Sequence, residues 1–257
     1  MDSNQTFASI QSVEFPPELS PEVVAGLRGL VQSLATGARD ALVTVALYGD
    51  AARGRFQGET SDVDLLLVIR DDSGLPALDA LATILQGAKK TVRFETFVIT
   101  QTEYVRSADA FPLRWLDLQR NHVLLHGAPL PVIQVDRELV RIRCEQSAKS
   151  HVLQLRHTYI EKRDDRRAIW AAVTGSLSRL AVTLTAVLEL CGAAVPVARR
   201  DIFAAAAQTL GLDGVLLQRL EALATEHRTP ADPEFRELLG AYITLLAKVS
   251  EAVDELQ

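Results

Sequence analysis

Three carboxylates stand where a strand would not normally hold them. Asp62 and Asp64 open the apolar run DVDLLLVIR, and Glu95 lies inside TVRFETFVIT. Residues two apart on a strand point to the same face, roughly 6–7 Å apart along it. Aspartate is depleted in strands. Two like charges beside an apolar run are costly unless a cation neutralises them. Mg²⁺ takes one or two carboxylates together with phosphate oxygens, which makes it the economical cation here. Two ions about 3.5–4 Å apart could be bridged by such a pair and clamp both oxygens of an in-line phosphoryl displacement. Glu95 would join the site if its strand lies beside residues 62–70. It would then ligate metal or accept a proton from an attacking hydroxyl. Arg93 points to the same face and offers Glu95 a plain ion pair instead.

The loop before the acids reads LYGDAARGRFQGETSD. Gly49 lets backbone approach a ligand closely. The residues after it could start a helix whose N–H groups face an anion. Arg53 and Arg55 add positive charge.

Several elements must position these residues. Pro21, with Ser20 as N-cap, opens a helix whose apolar residues Val23, Val24, Leu27, Leu30, Val31 and Leu34 share a face, and Gly37 ends it. The residues before it, to about Pro17, read as a loose arm. Strands are expected over 41–49, 62–70, 91–100 and 121–127, with a helix over 76–88. Strand 62–70 is apolar on both faces, so it is expected to be central and covered on both sides. From Asp136 the pattern becomes helical: 136–163, 167–191, 201–210, 213–226 and 233–256, with turns at Gly192/Pro196, Gly211/Asp213 and Thr229/Pro230. The expected class is α+β: a small mixed-sheet domain over 1–133, then an α-helical bundle over 134–257.

Together, L-Y-G-D-A-A-R-G and S-D-V-D-L-L-L-V resemble the signature of the polymerase β-like nucleotidyltransferase superfamily. The pattern is most similar to its minimal and aminoglycoside nucleotidyltransferases. F-E-T-F-V-I resembles the strand that supplies the family's third acid. LDLQRNHVLLHGAPLP resembles its final strand and exit. Beyond about residue 133 the likeness is general. The resemblance implies a transferase that moves a nucleoside monophosphate, AMP from ATP or another nucleotide, onto a hydroxyl of a small molecule or protein. It implies that Asp62 and Asp64, with Glu95, bind two Mg²⁺ ions, with Glu95 as alternative general base. Gly49 and Asp50 would lie at the β- and γ-phosphates, with Arg53 nearby, and Ser61 would position the aspartates. The sharper reading of the bundle's basic residues is that one of Lys149, Lys162, Arg199 or Arg200 reaches the triphosphate, with the acceptor between the domains.

Asp50 departs from the pattern, which has Ser or Gly there. An ionised aspartate only accepts hydrogen bonds. It could cap the helix and point away, hold an additional cation, or mark a chain that has lost triphosphate binding. The last possibility defines the alternative function: a weak or inactive nucleotide- or partner-binding module, antitoxin-like or a sensor.

The remaining features narrow the classes. With 27 basic against 33 acidic residues and a net charge of −6, the chain lacks the basic excess of a general nucleic-acid binder. Two cysteines far apart and no signal-like start fit a reduced, cytoplasmic protein. The apolar stretches read as too interrupted to span a bilayer. His122 and His126 lack a zincin glutamate and read as structural. The helical half has no Arg and His at the spacing of a ribonuclease pair, and the one close match, Arg120 with His126, lies in the expected last strand, which disfavours a ribonuclease. Trp115 and Trp170 read as packing residues, and Lys162, Arg163, Arg166 and Arg167 as a solvated helix junction. The apolar helices at 169–190 and 237–253 read as bundle core faces that could also support a homodimer.

Overall fold

The computed structural model describes residues 13–38, 40–54, 56 and 62–256. The chain divides into two compact units, Met1–Gln134 and Val135–Gln257.

In the first unit, α1 (Pro21–Gly37) begins where Ser20 accepts a hydrogen bond from the Val23 amide. Strands β1 (Leu42–Tyr48), β2 (Val63–Ile69), β3 (Phe94–Thr100) and β4 (Val123–Gly127) form one sheet in the order β3-β2-β1-β4. β1 is antiparallel to β2 and β4, whereas β2 and β3 run parallel. A parallel pair needs a crossover, and α3 (Leu75–Ala88) supplies it. The sheet is therefore mixed and β2 is interior, as its two apolar faces lead one to expect. On one face Val63, Leu65, Leu67 and Ile69 join Leu27, Leu30, Val31 and Leu34 of α1 and Leu81 of α3 in the core. On the other face Leu66 and Val68 are also buried.

Short helices bridge the strands: α2 (Gly49–Ala52), α4 (Gln101–Arg106) and α5 (Pro112–Arg120). A capping box between Thr100 and Glu103 starts α4. Tyr104 and Trp115 are buried, and the Trp115 indole donates to the Tyr104 carbonyl at 2.9 Å. Phe97 of β3 meets Trp115 edge-on at 6.1 Å. Phe97 is the register partner of Leu66, so this aromatic group lies on the Leu66 face of the sheet. The expected loose arm is corrected from Val13 onward. Val13 and Phe15 pack against the core, and Arg28 donates to the Val13 carbonyl and stacks on the Phe15 ring.

The second unit is five helices: α6 (Arg137–Glu161), α7 (Arg166–Leu190), α8 (Arg199–Leu210), α9 (Gly214–Thr225) and α10 (Glu234–Asp254). Asp136, Asp165 and Asp213 cap α6, α7 and α9, each accepting from an amide three residues on. α7 corrects the reading that every apolar stretch is interrupted, because it is long and apolar enough to cross a membrane. Its buried residues run from Ile169 and Trp170 to Leu188 and Leu190, so it is the central helix of the bundle. The faces of α7 and α10 that offered a dimer contact are buried within the unit. Both cysteines are free thiols. Burial pushes that of Cys144 up to about 12.

Candidate active site

The sheet register brings the acids together. Tyr48 of β1 is the partner of Asp64 on β2, and Asp64 is the partner of Glu95 on β3. Cross-strand partners share a face, so a hydroxyl and two carboxylates form one row across three strands. Asp62, two residues before Asp64, extends the row's face toward the end of β2. Gly49 follows β1 directly with φ of +70°, and a Cβ there would stand 2.1 Å from Asp64 Oδ2. Only glycine combines that backbone with that approach, so the loop lies flat against the carboxylate.

Asp50 does not cap α2. Tyr48 occupies the N-cap position, and no side chain caps the helix. The Asp50 carboxylate instead accepts from Arg53 Nη1 at 2.9 Å. The cation that balances Asp50 is thus Arg53, one turn away. Arg53 Nε also donates to Asp117 on α5 at 3.1 Å, and its Nη2 faces the same carboxylate. Asn121 steadies Asp117 through a 3.2 Å hydrogen bond. The Arg53 side chain is only 7% exposed. Burial works against its charge, but Asp117 and Asp50 outweigh burial and hold the guanidinium protonated.

Asp64 sits in the middle of this imbalance. Its pKa is raised to about 6, first by burial and then by Asp50, with Asp117 and Asp62 adding to the effect; only Arg53 opposes it. Such a group gains by meeting another cation. Burial and the Asp64 charge likewise push the Tyr48 hydroxyl up, Arg114 pulls it down, and Asp117 and Glu95 push it up again.

The acids do not converge on a single point. Asp62 accepts from Arg93 Nε at 3.0 Å, so Arg93 serves Asp62, not Glu95 as the sequence allowed. Glu95 is exposed. Among the described residues no three acidic, histidine or cysteine side chains form a set that could hold one ion. Asp62 and Asp64 remain a two-carboxylate pair of hard oxygen donors with surplus negative charge, which fits Mg²⁺.

Ser61 and Arg55 lie outside the described residues. In the bundle, Arg199 is held by Glu221 and Ser178, and Lys149 by Glu145, while Lys162 and Arg200 are exposed. Asp117 and Arg114 were not singled out by the sequence. The signal was there in principle: Arg114, Asp117 and Asn121 are spaced three and four apart ahead of a strand.

No family model matches the chain, and no curated protein matches it in sequence. Among solved structures it is similar to the crystal structure of spectinomycin adenyltransferase AAD(9) from Enterococcus faecialis with ATP and spectinomycin. The likeness has a TM-score of 0.55 at 12% identity, over 90% of this chain and 99% of that one. At that identity the likeness speaks for architecture. The chain has a nucleotidyltransferase-like α+β fold, the fold that the resemblance of residues 47–69 implies.

Proposed function

We propose that this protein is a Mg²⁺-dependent nucleotidyltransferase that moves a nucleoside monophosphate, AMP from ATP, onto a hydroxyl of a small molecule. The observation that carries this reading is the register row Tyr48–Asp64–Glu95 with Asp62 beside it, at the loop that follows β1. The similar solved structure is of an adenyltransferase with ATP and spectinomycin, which supports ATP as donor and a small hydroxyl-bearing acceptor.

Asp62 and Asp64 would hold Mg²⁺, which when bound neutralises phosphate charge and favours the ionised form of the attacking oxygen. Asp62 would exchange Arg93 for this role. Glu95 accepts the proton of the acceptor hydroxyl. The acceptor oxygen forms a bond to the α-phosphorus as the bond to the β-phosphate oxygen breaks, and pyrophosphate leaves. Gly49 lets the loop backbone lie close to the nucleotide.

The alternative, a module disarmed by Asp50, loses its main support. An aspartate paired with a buried arginine does not present a bare charge to phosphate. The test is incubation with α-labelled ATP, Mg²⁺ and a panel of polyhydroxylated small molecules. Labelled acceptor from wild type, absent with Asp64→Asn, supports the assignment. Magnesium-dependent ATP binding with no transfer to any small or protein acceptor would favour the sensor.

A further inference from the structure

Of the arginines around the acid row, Arg53 is enclosed by Asp50 and Asp117, and Arg93 bonds to Asp62. Arg114 differs. Its guanidinium carbon lies 4.3 Å from the centroid of Phe97 and 5.6 Å from that of Phe111. Among the described residues it has no carboxylate partner, and it is exposed. Phe97 stands two residues past Glu95 on β3 and so shares its face. On α5, Arg114 and Asp117 are three apart and therefore on one side of the helix. Tyr48 feels Arg114, Asp64, Asp117 and Glu95 together, which places the guanidinium in the same electrostatic neighbourhood as the acids.

This is a cation held by rings. Stacking on Phe97 fixes the guanidinium plane while leaving its edge N–H groups to donate. A planar fork of donors matches the oxygens of a phosphate. The acids around it would repel a polyphosphate, so a local cation that no carboxylate already occupies has a defined use. We propose that Arg114 is the phosphate-binding cation of this site and holds the β- or γ-phosphate of the nucleoside triphosphate. The inference rests on the nucleotidyl reading above. It assigns the triphosphate contact to α5 of the first unit, not to a bundle side chain.

The test is calorimetric titration of the full-length protein, with Mg²⁺ present, using ATP, AMP and adenosine on wild type, Arg114→Met and Arg114→Lys. Loss of one charge-assisted contact predicts that Arg114→Met weakens ATP about tenfold or more. AMP and adenosine should change less than about twofold, Arg114→Lys should retain part of the ATP affinity, and the melting temperature should hold. An unchanged ATP affinity in Arg114→Met would overturn the inference. So would an equal loss for adenosine, which would mean that the guanidinium stacks on the base. If wild type binds no ATP, the nucleotidyl reading falls and this inference falls with it. ATP binding by wild type that is indifferent to Arg114 sinks the inference alone.

Discussion

The two units treat buried polarity in opposite ways. In the first, Asp50 and Asp117 share one buried guanidinium beside Asp64 and Asp62, and Asp64 is driven to a pKa of about 6. In the second, enclosed charges are balanced one to one, as Arg199 is with Glu221, and several buried hydroxyls are matched with one another. Ser176 meets Tyr242 at 2.7 Å and also donates to the Val173 carbonyl, and Ser147 meets Thr183 at 2.8 Å. Most of the rest of that interior is Leu, Val, Ile, Ala and Phe, with Trp170 and Cys144. A core built for stability balances its charges or avoids them. Unbalanced carboxylates are retained where something must be bound. The contrast marks the acid row of the first unit as the candidate site.

Substitutions that separate binding from stability sharpen the contrast most. If Asp64 holds Mg²⁺ as proposed, Asp64→Asn should cut transfer on the order of 10³-fold. The same change should leave the melting temperature equal or higher, since it relieves a crowded charge. Leu184→Ala in α7, fully buried, should do the reverse: about 2–5 kcal/mol of stability lost in chemical denaturation. A destabilised Asp64→Asn would break the comparison.

Next in size is Arg53→Met. It strips Asp50 and Asp117 of their hydrogen-bonded counter-charge in a part-buried setting, at about 3 kcal/mol. Trp115 lies in the first unit and Trp170 in the second, so single-tryptophan variants can follow each unit's unfolding by fluorescence. The loss should appear on the Trp115 signal. An Arg53→Met variant as stable as wild type would mean the network is solvated after all.

The pH dependence of the two units should run in opposite directions. Asp64 has a folded pKa of about 6, raised from 3.8, first by burial. Its contribution to stability is fully present below about pH 3.8 and lost as pH rises through 6. His151 in α6 is buried, and its pKa is lowered to about 4, first by burial and then by Arg179. Its contribution is present above about pH 6.5 and lost as pH falls through 4. Each two-unit shift corresponds to about 3 kcal/mol. Thermal melts between pH 4.5 and 7 should therefore show acid weakening of the second unit that His151→Gln flattens. Asp64→Asn should remove an opposite slope from the first. Slopes of the same sign in both units would contradict the assignment.

The smallest effect tests the neutral pairs. Tyr242→Phe removes one side of the Ser176 contact, yet Ser176 keeps the Val173 carbonyl, so urea denaturation should show a loss of only about 1 kcal/mol.

Much of the fold was legible in sequence because its elements are apolar runs set off by clear caps and turns. Short β-branched runs such as 42–48 and 63–69 read as strands, and the long stretches between Asp136, Asp165, Asp213 and Pro233 read as helices. The acids Asp62, Asp64 and Glu95 were legible as charges in strands. α4 and α5 were not, because both are short and their buried faces reduce to a few aromatics such as Tyr104 and Trp115. Asp117 was missed for the same reason: its partner Arg53 is 64 residues away, and only the fold joins them. The role of Asp50 depended on that same arginine. Local propensity indicates a helix cap at such a position, whereas a buried guanidinium one turn away competes for the carboxylate and wins.

The central claim is that the acid row handles a metal-bound nucleoside triphosphate. Calorimetric titration of ATP into wild type and Asp64→Asn, each with and without Mg²⁺, tests it most directly. The account predicts binding that requires Mg²⁺ in wild type and is lost or severely weakened in Asp64→Asn. Binding that is indifferent to both the metal and the substitution would contradict it.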